Sequence, residues 1–160
     1  MRFLVTGGAG FIGHNVVRQL EALGHECFIL DNVTDYGFLD KSEVKYLYNE
    51  RCGRIRASVH HIDITDLKYT KDFFLTFAGF VDAVIHLAAS SEVGPSVSDP
   101  LFYYANNVAN SALLLNICAK HEVDKVVFSS TSSVYGEVDP KDLPTKEDHV
   151  KEPKTSYGSS

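Results

Sequence analysis

Residues 2–31 constrain the fold more than any other stretch of this chain. They run Arg-Phe-Leu-Val-Thr, then Gly7, Gly10 and Gly13 at G-x-x-G-x-x-G spacing, then a helical pattern, then Cys-Phe-Ile-Leu-Asp31. Phe3 to Val5 is a short apolar run with no polar face, which predicts a buried parallel strand. Ile12, Val16, Val17, Leu20 and Leu23 recur at helical spacing and predict one inward face, with Gly24 as the stop. Glycines admit positive φ and let backbone N–H groups close on a pyrophosphate; the helix N-terminus adds unpaired donors and partial positive charge. Asp31 lies 18 positions past Gly13, at the end of the second apolar run. An acid there accepts the two hydroxyls of an adenosine ribose. A glycine triplet alone says little, but strand, triplet, helix and acid in this order predict a dinucleotide site. Asp31 repels a 2′-phosphate, which favours NAD over NADP, and Asn32 beside it is neutral.

Length and charge narrow the class. A chain of 160 residues suggests one domain, and 44% hydrophobic with 22% charged residues is the balance of a globular protein. The net charge of −6 and the lack of a basic stripe give no electrostatic reason to bind nucleic acid. The first residues run straight into the glycine loop, too short and too glycine-interrupted for a signal peptide, and no apolar run reaches membrane-spanning length. Cys27, Cys52 and Cys118 form no metal or pair spacing; Cys27 and Cys118 fall in apolar patterns and read as buried thiols. A reducing, cytoplasmic setting follows by elimination.

Beyond Asp31, an irregular segment from Asn32 to Leu39 is expected over the adenosine end of the cofactor. Asp40 or Ser42 caps a helix through Glu50, with Val44 and Leu47 inward. Arg51, Arg54 and Arg56 read as a solvated face. Ser58 to Ile64 alternates as a third strand, on which adjacent His60 and His61 point to opposite faces and cannot chelate one ion. Asp66 caps a helix to about Phe77, and Phe80 to Leu87 is the fourth strand. Asp99-Pro100 opens a long helix to about His121 whose inner face is Leu101, Tyr104, Val108, Ala112, Leu115 and Ala119. Lys125 to Phe128 is the fifth strand, followed by a run of five Ser/Thr and a polar loop from Glu137 to Lys154 holding three of the five prolines. The alternation of strands and helices predicts an α/β, Rossmann-type doubly wound parallel sheet of order 3-2-1-4-5, with helices on both faces. Gly7–Gly13, Asp31, Asp63, Leu87–Ser91 and Ser129–Thr131 all fall at carboxyl ends of strands, where such sheets bind ligands.

These residues together resemble the extended short-chain dehydrogenase/reductase family, in its branch of NAD-dependent sugar-nucleotide epimerases and dehydratases. The matching stretches are Thr-Gly-Gly-Ala-Gly-Phe-Ile-Gly, Asp31-Asn32, Asp63-Ile64, His86-Leu87-Ala88-Ala89, Tyr-Tyr-Ala-Asn-Asn-Val, and Ser-Ser-Thr-Ser-Ser-Val-Tyr-Gly with Tyr157 downstream. The resemblance implies Gly7, Gly10, Phe11, Ile12 and Gly13 at the pyrophosphate, Asp31 and Asn32 at the ribose, and Asp63 and Ile64 at the adenine. It implies Leu87, Ala88 and Ala89 lining the cofactor with Asn106 nearby, and Thr131 and Tyr157 as the catalytic pair. A tyrosine phenol, with pKa about 10, is a poor base until positive charge lowers that value. A threonine hydroxyl orients the same substrate oxygen. The implied activity is 4-epimerisation of a UDP-hexose through the transient keto sugar, in a protein that forms a homodimer.

The chain also departs from that pattern. The family's tyrosine is followed by lysine four positions later, which here is one position past Ser160. The reading is therefore an incomplete NAD-binding domain over residues 1–160, without the C-terminal strands and the substrate domain. Its fifth strand is expected to be an exposed edge, Tyr157 to sit on a frayed terminal stub, and the chain alone to be inactive. Ser132-Ser133 stands where dehydratases place Asp-Glu and decarboxylases a Glu, which ranks those reactions second; a non-catalytic NAD-binding module is the remaining alternative. Tyr135 reads as structural.

Overall fold

Five short strands carry the fold: β1 (Arg2–Thr6), β2 (Glu26–Leu30), β3 (Ser58–His60), β4 (Ala83–His86) and β5 (Val126–Phe128). In the computed structural model, which describes residues 1–33 and 40–160, they form one parallel sheet of order β3-β2-β1-β4-β5. Most of the segment expected over the adenosine, residues 34–39, lies outside the described residues. The register sets Val5 beside Ile29 on one side and Ile85 on the other. Asp82 fastens the first turn of the sheet, accepting the Arg2 N–H at 2.7 Å and its guanidinium at 3.0 Å.

The described chain divides into two compact units, residues 1–89 with 110–129, and residues 90–109 with 130–160. The first holds the sheet with helices α1 (Phe11–Ala22), α2 (Lys41–Cys52) and α3 (Leu67–Phe77). The second holds helices α4 (Val93–Ser98) and α5 (Pro100–Tyr103) and a π-turn (Tyr104–Ala109); α6 (Asn110–Lys120) belongs to the first. The second also contains a 3-10 turn (Ser132–Tyr135) and the short α7 (Ser156–Ser159).

Strand alternation builds two cores in the first unit. Leu4 packs with Leu30, Val84, Phe73 and Phe74 of α3, and Leu114, Ile117 and Cys118 of α6. Its neighbour Val5 points the other way, against Cys27, Ile29 and Val17 of α1. One helix layer on each face follows directly from this period of two. Cys27 and Cys118 are buried thiols, each raised by burial to about 11. Within the α3 core the Thr70 hydroxyl is buried with no hydrogen-bond partner. Replacing it with the isosteric valine removes a desolvated polar group, and Thr70→Val is expected to raise unfolding stability by about 1 kcal/mol in urea titration.

Several elements differ from their sequence patterns. In α1, Val17 is buried and Val16 and Leu20 are half-buried, but Ile12 and Leu23 at its ends are 62% and 74% exposed. Gly13 and His14 in its first turn are buried instead. Asp40 does cap α2, in a reciprocal capping box with Glu43, and the helix runs on to Cys52. Asp66 caps α3 through the Lys68 and Tyr69 N–H groups. β3 is shorter than expected because the His60 carbonyl accepts the Ile62 N–H at 2.8 Å, turning the chain out of the ladder. β4 likewise starts at Ala83, since residues 78–80 form a 3-10 turn.

The largest correction concerns residues 100–120. The six residues expected inward are all exposed, Leu101 at 79%. The buried positions are Tyr103, Asn107, Ser111, Leu114, Ile117 and Cys118. The π-turn interrupts the regular 3.6-residue period, and Asn107 and Ser111 turn inward to make hydrogen bonds that hydropathy does not register.

Candidate functional site

In the first unit the glycine loop is folded on itself and leaves little room for side chains. The Gly7 N–H donates to the Leu30 carbonyl at 2.9 Å, and the Gly7 carbonyl accepts the Gly10 N–H at 3.1 Å. Gly7 has φ +68°, and a Cβ there would lie 2.9 Å from the Ala88 nitrogen. A Cβ on Gly13 would run into the Gly7 carbonyl oxygen itself. Gly8, which the triplet spacing passes over, is constrained too: its Cβ would approach Ile29 to 2.7 Å. Gly10 is the N-cap of α1 and provides no side-chain hydrogen bond. The N–H groups of Phe11, Ile12 and Gly13 therefore open the helix with no capping side chain among the described residues, the arrangement that receives anions. Phe11 and Ile12 stand exposed at this end.

Asp31 is tied to that loop. Its carboxylate accepts the Ala9 N–H at 2.9 Å and the Val33 N–H at 2.8 Å. Burial raises its pKa above the usual carboxylate value, against the two N–H bonds and the positive charges of His61 and Arg51. Asn32 donates to Asp63 at 2.9 Å, so the expected ribose and adenine residues are directly linked. Asp63 also accepts the Thr65 N–H at 2.8 Å. Burial works to raise its pKa, but the Asn32 and Thr65 hydrogen bonds together hold it below the usual range. The Ile64 side chain is buried. After β4, Leu87 and Ala88 are half-buried and Ala89 is exposed. The Leu87 and Ala88 N–H groups each lie 3.2 Å from the Thr6 hydroxyl oxygen.

The second unit carries the remaining three residues. Asn106 donates to the Ser90 hydroxyl at 3.1 Å and to Asn107 at 3.0 Å. The organising residue is Asn107, which sequence reading passed over. It accepts the Ser90 N–H, donates to the Ser90 carbonyl at 2.9 Å and reaches the Ser160 hydroxyl at 3.0 Å. Thr131 caps the 3-10 turn, accepting the Ser133 N–H at 3.2 Å and retaining its own O–H to donate. Tyr157 is not on a frayed stub. It sits in α7, capped by Thr155, with its ring edge-on to Tyr103 at 6.5 Å. Tyr104 meets Ser159 at 2.7 Å, and a Cβ on Gly158 would lie 2.7 Å from the Ser133 carbonyl oxygen. The turn begun by Thr131 and the helix bearing Tyr157 are thus packed on one another. Tyr135 is held between His149, stacked at 6.1 Å, and Lys151 at 5.8 Å, a structural setting.

A family model for the NAD dependent epimerase/dehydratase family matches residues 3–160. The chain belongs to this family. A UDP-glucose 4-epimerase of Dictyostelium discoideum is 38% identical over 157 residues, covering 98% of this chain and 43% of that protein. That of Halalkalibacterium halodurans is 38% identical over 160 residues, with 100% and 43% covered. Among solved structures, the UDP-glucose 4-epimerase of Stenotrophomonas maltophila, with NAD and formylated UDP-arabinopyranose bound, superposes with TM-score 0.80 at 33% identity over 99% of this chain and 45% of that one. The Thermus thermophilus UDP-glucose 4-epimerase in complex with NAD gives 0.80, 33%, 99% and 47%. The chain spans less than half the length of these two curated UDP-glucose 4-epimerases. Among the described residues no group of three or more His, Cys, Asp and Glu stands close enough to hold a metal ion, and no helix is long and apolar enough to cross a membrane.

Proposed function

We propose that this chain is the NAD-holding portion of a cytoplasmic sugar-nucleotide epimerase that interconverts UDP-hexoses at C4. The observation that carries the proposal is the loop from Gly7 to Gly13, closed so tightly that a Cβ at Gly13 meets backbone, with Asp31 hydrogen-bonded to its Ala9 N–H. This is a cradle shaped for a pyrophosphate with an acid at ribose distance. Phe11, Ile12 and Gly13 offer their N–H groups to the phosphates, and Gly7 and Gly10 let the backbone approach. Asp31 accepts the ribose hydroxyls, with Asn32 beside it, and Asp63 and Ile64 flank the adenine. Leu87, Ala88 and Ala89 supply a small-residue wall, and Asn106 is a further cofactor residue by its likeness to the family.

NAD held by these residues would supply the hydride acceptor and donor for oxidation and re-reduction of the sugar carbinol. The chain's own part is proton handling and orientation: Tyr157, as phenolate, takes the C4 hydroxyl proton and, as phenol, gives it back, and the Thr131 hydroxyl donates to the same oxygen. Ser132 and Ser133 provide no carboxyl to expel water from the ring, which favours epimerisation over dehydration. The chain spans less than half the length of the two curated UDP-glucose 4-epimerases, and residues 1–160 alone are expected not to turn over.

The test is product identity. Incubated with NAD and UDP-galactose, the 160-residue chain is expected to give no UDP-glucose. Joined to the C-terminal remainder of a UDP-glucose 4-epimerase, it is expected to interconvert the two sugars. A 4-keto-6-deoxy product would contradict the proposal, and turnover by the unextended chain would overturn the inactivity.

A further inference from the structure

His86, the last residue of β4, is a buried titratable group for which the NAD reading has no use, and it is 2% exposed. Its Nδ1 lies 2.6 Å from the Thr6 hydroxyl oxygen and its Nε2 lies 2.8 Å from the Ser111 hydroxyl oxygen. Counting protons along this chain assigns the tautomer. The Thr6 oxygen already receives the Ala88 N–H at 3.2 Å, and the Leu87 N–H, also 3.2 Å away, is shared between it and the Thr6 carbonyl at 3.1 Å. Thr6 is fully buried and, among the described residues, its O–H finds its acceptor in His86 Nδ1, so Nδ1 accepts and carries no proton. The proton then resides on Nε2, which donates to Ser111 on α6. Ser111 is itself buried.

We propose that His86 is a positioning residue for the cofactor wall: in its Nε2–H form it locks the Thr6 hydroxyl so that this oxygen holds the Leu87–Ala88 turn. This rests on the reading that Leu87 and Ala88 line the NAD site. Thr6 keeps its lone pairs turned to the Leu87–Ala88 turn while an acceptor takes its proton, and His86 is that acceptor. An Nδ1–H imidazole would compete with the turn amides for the Thr6 oxygen and leave the buried Thr6 O–H without this acceptor; the Ala88 N–H is the bond at risk, because Leu87 keeps the Thr6 carbonyl. The same ring is carried from behind by α6 through Ser111. The backbone wall, the sheet and α6 therefore share one hydrogen-bonded chain, and Gly7, next to Thr6, is itself packed on Ala88.

Three readouts on the 160-residue chain test the proposal. Long-range 15N–1H spectra are expected to show His86 protonated at Nε2 and bare at Nδ1; the Nδ1–H tautomer overturns the assignment, which a passive core histidine would adopt as readily. His86→Phe keeps an aromatic ring beside Phe128, now 5.5 Å away, but removes the acceptor. It is expected to speed amide exchange at Ala88 about tenfold and to weaken NAD binding about fivefold. Should that variant fail to fold, Ser111→Ala is expected to weaken NAD binding in the same direction, with recovery in Ser111→Thr. Faster exchange with NAD affinity unchanged overturns the positioning role. Absence of NAD binding by the unsubstituted chain would instead refute the cofactor reading, leaving the tautomer and exchange results to judge the hydrogen-bond chain on their own.

Discussion

Gly13→Ala is expected to weaken NAD binding by about 100-fold. The added methyl has no place to go: it would meet the Gly7 carbonyl oxygen and lie 2.6 Å from the Gly8 Cα, both backbone atoms that cannot rotate away. Relief requires the first turn of α1 to lift from the loop, which takes the Phe11, Ile12 and Gly13 N–H groups off the phosphates. Hydrogen bonds to a charged partner contribute about 1.5–3 kcal/mol each, so losing one or two accounts for a factor of about 100. The displaced helix also disturbs the core around Val17, and about 1–3 kcal/mol of stability is expected to go with it. Gly79→Ala is the matched control, since a Cβ there meets nothing within 4 Å. Calorimetric titration of NAD into both variants, with circular dichroism to confirm folding, separates the loop's geometry from any general cost of replacing glycine. Equal affinities would contradict the cradle.

Acid is expected to remove about 3 kcal/mol of folding stability between pH 6.5 and pH 4 through His86 alone. Burial lowers its pKa from 6.5 to about 4. The groups packed on the ring are Thr6 from β1, Ser111 from α6 and Phe128 from β5, none of them charged. The sign follows from proton counting. Between the two values the unfolded chain binds a proton that the folded chain refuses, so stability is full above pH 6.5 and falls as pH drops toward 4. His60, lowered by burial and by His61, acts in the same direction. Asp31 acts against it, because its raised pKa means that protonation relieves the folded state as acid is added. Asp63, held low, loses its contribution only below the ordinary carboxylate range. Urea unfolding at about pH 7 and about pH 4.5 measures the loss, and a proton titration of the His86 ring assigns it. A ring midpoint near the ordinary histidine value of about 6.5 would contradict the buried, neutral assignment.

What was legible in the sequence was local. The glycine spacing, the apolar strand runs and the acid ending β2 each declare themselves within a few residues, and the sheet order followed from their alternation. The inner face of residues 100–120 was not legible, because Asn107 and Ser111 look like surface residues until their partners are known. Those partners are distant or hidden in polar runs: Ser90 lies 17 positions from Asn107, and His86 lies 25 from Ser111. The Asn32–Asp63 link spans 31 positions and the Thr6–His86 contact spans 80, and no periodicity encodes either. His86 did carry a signal, as the only polar residue in Ala-Val-Ile-His at the carboxyl end of a buried strand. Tyr157 was expected to be loose because it lies near the last residue, yet Thr155, Ser159, Ser160 and Gly158 are small or hydroxylic residues that fasten α7 to its own unit.

The most direct measurement is a calorimetric titration of NAD and, separately, NADP into the 160-residue chain. The account predicts one NAD site with a dissociation constant on the order of micromolar and NADP at least about tenfold weaker, because a 2′-phosphate must approach the half-buried Asp31. No NAD binding, or NADP bound as tightly as NAD, would contradict it.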